Sequence, residues 1–231
     1  VSDLILSASS IDRFFTCPQQ YALSKLWTPT APPAPALVQG LAVHAIMAGQ
    51  KRITKTTPEA VRWHVKKMKE MDRQYTISQR EVESVEQLCE GIKILRRIDA
   101  LGVTLEGEPV VIDYKTATYA WDELAYQVYP KGEGFQTACY LFGDDTPDRM
   151  DYLVSCEKGT TQVITTRFEV GRFGNLLIAA KLIQKASDDA YFPAHKGWLC
   201  RYCAMTGPCY QSPGWRTMYK RRKEIKDDDV E

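Results

Sequence analysis

The chain has 231 residues, 44% hydrophobic and 26% charged, an ordinary globular mix with room for one large domain or two small ones. Its formal net charge of +1 excludes a global field that would draw a polyanion, so any nucleic-acid site must be a local basic patch. No apolar run reaches the roughly 20 residues that span a bilayer, and VSDLILSASS lacks the basic and apolar regions of a signal peptide, so the expectation is a soluble cytoplasmic protein.

Residues 7–27 begin with hydroxyl cap candidates, which predicts a helix to about Thr16, with Pro18 opening a second one. APPAPA (31–36) reads as a stiff connector. A helix follows from Ala36 to Ala48, with Leu37, Leu41, His44 and Ala48 on one side. Thr57 is expected to cap a third helix, with Pro58 at its first position and Val61, Val65 and Met68 as its apolar stripe. Strands are expected over 78–88, 91–103 and 108–117, punctuated near Gly91 and Gly107. Residues 119–129 look helical, and a further helix runs from Glu133 to Phe142. RMDYLVSCEK and TQVITTRFEV then form a hairpin across Gly159, followed by a long amphipathic helix from RFGNLL. The basic runs KKMK (66–69) and KRRK (220–223) read as solvated faces. Helices, then strands, then helices around one sheet point to a single α/β (α+β) domain over 1–231, with a flexible tail from 216.

VVIDYKTA (110–117) starts apolar and ends with Asp113 and Lys115 on one face, Tyr114 opposite. If the turn in TLEGEP centres on Glu106, Asp99 lies directly across from Asp113, with Cβ atoms about 5 Å apart. Two facing carboxylates repel unless a cation lies between them. Hard oxygen ligands beside a lysine suit Mg²⁺ or Mn²⁺, with the lysine orienting a water or stabilising charge on a phosphate. A salt bridge between Lys115 and one acid explains the same spacing, because D-x-K alone is a weak signal. His44 offers an imidazole. Gln136 and Tyr140, four apart, share a helix face.

The chain carries seven cysteines, an odd count that in a reducing compartment reads as metal ligands plus buried thiols. CRYCAMTGPC places Cys200, Cys203 and Cys209 close together, and Cys17 is the chosen fourth ligand of a Cys₄ site that ties the chain's beginning to its end. The spacing leaves zinc and an iron–sulfur cluster both open. Cys89, Cys139 and Cys156 read as buried thiols.

Together GLAVH (40–44), RRID (96–99), DYK (113–115) and QTACY (136–140) resemble, in order, the GxxxH, GxxD, (D/E)xK and QxxxY motifs of the PD-(D/E)XK nuclease superfamily, RecB-like branch. CPQQY and the late C-x2-C-x5-C resemble its iron–sulfur members, the AddB nuclease domain and the CRISPR-associated exonucleases of the Cas family-four type. The resemblance runs from about Ser7 to Cys209, with Arg96 in place of the motif glycine. It implies a restriction-endonuclease-like core, a central mixed sheet flanked by helices. It also implies Mg²⁺ or Mn²⁺ on His44, Asp99, Asp113 and the Tyr114 carbonyl, with Lys115, Gln136 and Tyr140 in the same active site. Glu81 or Glu83 would add an outer carboxylate. Cys17, Cys200, Cys203 and Cys209 would hold a [4Fe–4S] cluster, built from residues 1–30 and 190–215. The implied activity is hydrolysis of DNA from a single-stranded end, with repair, recombination or CRISPR-adaptation proteins as partners. The alternative is a non-catalytic subunit that binds DNA ends. A third reading is a zinc-stapled interaction module. Trp198 and Tyr202 are expected to pack around the cluster, or else to stack on bases.

Overall fold

The computed structural model describes residues 3–118 and 135–222. The expected helix over 119–129 and the start of the one at Glu133 lie outside the described residues. A short strand β1 (Leu4–Leu6) leads into α1 (Ala8–Thr16). Ser7 and Ser10 close a reciprocal capping box at its start, which satisfies donors that the first helical turn leaves open. Cys17 separates α1 from α2 (Pro18–Leu26), where the proline occupies a position that needs no amide hydrogen.

After β2 (Trp27–Pro29) come two packed helices, α3 (Pro35–Met47) and α4 (Glu59–Asp72). Val61, Val65 and Met68 are buried as the α4 stripe requires. Its cap differs from expectation. Pro58 is the N-cap, and the Thr57 hydroxyl accepts instead from the Thr54 amide at 2.9 Å. In α3 the buried residues are Val43, Ile46 and Met47, whereas Leu37 and Leu41 are exposed, so the stripe read from sequence is not the core face.

The sheet is built from β3 (Tyr75–Cys89), β4 (Ile92–Thr104), β5 (Pro109–Ala117), β6 (Arg149–Cys156) and β7 (Thr161–Arg167), together with β1. Its order is β1-β4-β5-β6-β7, with β3 along the other edge of β4. β1 is parallel to β4 and β5 to β6, while β3–β4, β4–β5 and β6–β7 are antiparallel, so the sheet is mixed. Gly107, at φ +86°, lets the β4–β5 turn take a left-handed residue, and that turn sets the register the site depends on.

Helices cover both faces. Val110, Ile112 and Tyr114 of β5 pack under α3 and α4. On the other side, α1, α5 (Phe135–Tyr140) and α6 (Val170–Asp188) bury Ile11, Phe135 and Leu176 against Leu6, Ile92 and Ile94. The result is an α+β molecule with a central mixed sheet between helices. No helix of the described residues is long and apolar enough to cross a membrane.

The chain closes with a 3-10 turn (Trp198–Tyr202), α7 (Thr206–Tyr210), a second 3-10 turn (Trp215–Thr217) and β8 (Tyr219–Arg221). β8 pairs antiparallel with β2, so residues 219–221 are not the free tail expected from 216 onward. Their side chains stay outside the core, and Lys220 and Arg221 of the second basic run are solvated.

Candidate active site

Two strands share one edge of β4. β1 pairs with Ile92–Ile94, and β5 pairs with Ala100–Val103. Between them a stretch of β4 is left beside an opening, and Asp99 stands at its end. β4 and β5 pair from Val103↔Pro109 to Ala100↔Ile112, the register of a turn centred on Glu106. One step further Asp99 would face Asp113, but the recorded ladder stops short of it. Asp99 takes over the role of a ladder partner, its Oδ2 accepting the Tyr114 N–H at 2.8 Å. On the other side of β4, the pairs Arg80↔Ala100 and Val82↔Ile98 put Glu81 across from Asp99. Glu81 has φ +51°, unusual for a residue with a side chain.

His44 comes down from α3. Its Nδ1 lies 3.2 Å from Asp99 Oδ1. One ligand atom each from His44, Glu81 and Asp99 falls within 4.8 Å of the others. Burial alone would push the His44 pKa down, but the hydrogen bond and charge of Asp99, helped by Asp113, push it up. The Glu81 carboxyl is pushed up by burial and by the Asp99 charge. This is the mutual repulsion that a cation relieves.

Asp113 faces a different set. It is 2% exposed, and its Oδ1 accepts from Gln136 Nε2 at 2.7 Å. Lys115 forms an ion pair with its Oδ2. Burial drives its pKa up to about 6, with Lys115 opposing and Asp99 adding to the rise. The Tyr140 phenol lies on the same helix, and its pKa is held far up by burial and then by Asp113 and Asp99. Gln136, Asp113 and Lys115 thus form a connected row from α5 to β5, and Tyr140 lines the same cleft. Behind it, Tyr114 points to the other face, where its hydroxyl donates to Asp72 at 2.7 Å and accepts from Arg80.

Asp99, Asp113, Lys115, His44, Gln136 and Tyr140 from the sequence reading lie around this opening. Of the two glutamates, Glu81 joins His44 and Asp99, while Glu83 pairs with Arg97 at 2.6 Å on the surface. A cleft of about 280 Å³ continues from Lys115, Gln136 and Tyr140 past Arg97 to Ser7 and Ser9 at the start of α1. That wall escaped the sequence reading, because α1 reaches the site only through the pairing of β1 with β4.

A second concavity, of about 220 Å³, is lined by Cys17, Cys200, Cys203 and Cys209. Backbone N–H groups of His195, Gly197 and Met205 approach the sulfurs of Cys17, Cys200 and Cys203 at 3.4 Å each. The Cys209 thiol donates to Gln19 Oε1, and its pKa is pushed up by burial and by the other three sulfurs. Cys139 and Cys156 are buried in the core, and Cys89 is half-buried. Trp198 borders the cavity and is 68% exposed, and Tyr202 is 73% exposed.

The solved structures similar to this chain share little sequence with it. A candidate exonuclease from Eubacterium rectale is 12% identical, with a TM-score of 0.51, over 98% of this chain and 92% of that one. The protein SSO0001 is 13% identical at a TM-score of 0.45, covering 89% of this chain and 85% of its own. LHK-Exo, in complex with dAMP, is 11% identical at 0.42, covering 81% and 89%. A search of curated proteins finds no match. The family model described as the PD-(D/E)XK nuclease superfamily matches residues 5–210, from β1 to the end of α7 and across every strand of the central sheet, and the chain belongs to that superfamily.

Proposed function

We propose that this nuclease is a Mg²⁺- or Mn²⁺-dependent DNA exonuclease that hydrolyses phosphodiester bonds from single-stranded ends, and that its four cysteines hold a structural [4Fe–4S] cluster. The convergence of His44, Glu81 and Asp99 beside the Asp113–Lys115 pair is the observation that carries the reading. Carboxylates with one imidazole suit a divalent ion of this class. His44, Glu81 and Asp99 would hold it, with Asp113 and the Tyr114 carbonyl as further oxygens. Such an ion supplies Lewis-acid polarisation of a phosphate oxygen and acidifies a water.

The protein's own groups divide the remaining work. Lys115 donates to the attacking water or to the charge growing on the phosphoryl oxygens. Asp113, nearly excluded from solvent, keeps the ammonium of Lys115 aimed into the cleft. Gln136 locks the Asp113 carboxylate. The single domain over 1–231 and a cytoplasmic setting belong to the same reading, as do partners in repair, recombination or CRISPR adaptation.

For the cysteines, the donor set and the N–H groups aimed at three sulfurs suit thiolates around an electron-rich centre.

The test is cleavage of 5′- and 3′-labelled single strands across a Mg²⁺ and Mn²⁺ series, beside iron and sulfide analysis of anaerobically purified protein. Stepwise release of nucleotides, abolished by EDTA and by Asp99→Asn, is expected. Binding of ends without products in any metal would instead identify an adaptor that recognises DNA ends. Zinc in place of iron and sulfide in an anaerobic preparation would overturn the cluster.

A further inference from the structure

The N-terminal half of α3 exposes an apolar surface that the core does not use. Leu37, Val38 and Leu41 are 56%, 49% and 58% exposed. At about 100° per residue, Leu37 and Leu41 lie within roughly 60° of His44 around the helix. At about 1.5 Å per residue they stand roughly 10.5 and 4.5 Å back along its axis from the imidazole. The opposite face of α3 is committed, with Val43, Ile46 and Met47 buried against α4 and β5.

Two contacts hold this half of the helix over the end of β5. Gly40 approaches so closely that a Cβ there would lie 3.4 Å from the Thr116 hydroxyl, one residue past Lys115. Gln39 donates to Glu157, just beyond β6, at 3.3 Å. The leucines therefore continue the side of the helix that carries His44, next to the strand that carries Asp113 and Lys115.

We propose that Leu37 and Leu41 form an apolar wall against which the nucleobases next to the scissile phosphate lie. This rests on the nuclease reading of the same site. The occupant follows from position: a strand whose phosphate sits between His44 and Lys115 has the cleft toward Arg97, Ser7 and Ser9 on one side and α3 on the other, so the bases on the α3 side meet the leucines. An unstacked base presents an apolar face that can pack flat on such a wall. Leucine offers contact without hydrogen-bonding groups, so the wall reads the presence of a base and not its identity. It also rewards unstacked bases, which favours a single strand over a paired end.

The test compares a natural single-stranded oligonucleotide with one of equal length carrying abasic nucleotides at its terminal positions, using the full chain and Mn²⁺. The wild-type protein should prefer the natural strand by about 10-fold in kcat/KM, the low end of what one base contact on an aromatic side chain supplies. The pair Leu37→Ser and Leu41→Ser should bring that ratio close to one, and Leu41→Met should keep it. Both positions are exposed, so the substitutions leave folding intact. Equal cleavage of both strands by the wild type, or a ratio unchanged in the double variant, refutes the wall while leaving the nuclease standing. A shift from dimer to monomer with an unchanged ratio identifies the patch as a contact between copies and also refutes it. No cleavage of either strand by the wild type refutes the nuclease reading and the wall with it.

Discussion

The acid cleft and the cysteine cavity both gather side chains from distant parts of the chain, yet they are held in place by different means. The cleft is carried by long strands. Asp99 and Asp113 sit on paired β4 and β5, and their carboxylates are tied to Tyr114, Gln136 and Lys115. The cavity is carried by a helix junction, a 3-10 turn and a five-residue helix. Its sulfurs are only partly buried, and their protein partners are weak N–H···S contacts. The cleft keeps its shape through the sheet. The cavity has so little regular structure that the cluster proposed for it would supply much of the local stability.

Three substitutions would break or sharpen that contrast. The largest effect is expected for Lys115→Ala. Removing one charged donor at the reacting phosphate should lower cleavage by about 100- to 1000-fold. Asp113 keeps its Gln136 hydrogen bond, so the circular dichroism spectrum should stay that of the parent. Residual cleavage near the parent rate would remove Lys115 from the chemistry.

Cys203→Ala should do the reverse. Loss of one ligand is expected to cost about 3 kcal/mol or more, a fall in Tm of roughly 6–12 °C for a domain of this size. The rate per folded molecule should change little. A melting curve that overlays the parent would show that the cavity does not depend on its contents.

The smallest effect probes what stiffens the cleft from behind. Tyr114→Phe removes the hydroxyl that Asp72 and Arg80 share on the far face of β5. A cost of about 1–3 kcal/mol in denaturant melts is expected, because those partners are left half-buried and less satisfied. Cleavage should fall only a few-fold. Unchanged stability would mean that the Asp72–Arg80 ion pair suffices alone.

Much of this arrangement was legible in the chain. Capping residues and prolines placed α1 and α2, and the glycines at 91, 107 and 159 placed the turns of the strand region, each with φ above zero. The turn at Glu106 foretold the β4–β5 register, because side chains alternate along a strand and the turn fixes which ones meet. Arg96, standing where the family motif has glycine, could not be read that way. It is buried, and it donates to Ser84, Glu86, the Phe142 carbonyl and Thr146. That clamp fastens the loop after α5 to β3 and β4 and so steadies Gln136 and Tyr140. Nothing local to RRID announces it.

Local signals, then, determined which segments become helices and strands, and which polar residues had no reason to sit in a core. They did so because capping, turn chemistry and side-chain period act over a few neighbouring residues. The tertiary structure alone decided that Glu81 and not Glu83 meets His44 and Asp99, and that Asp113 turns to Gln136 and Lys115. It also decided that the leucine face of α3 looks outward beside the cleft. Those outcomes depend on the positive φ of Glu81 in β3, on where β1 and β5 meet β4, and on how α3 leans over a strand end. Such long-range geometry is set by the packing of whole elements, which no short stretch of sequence contains.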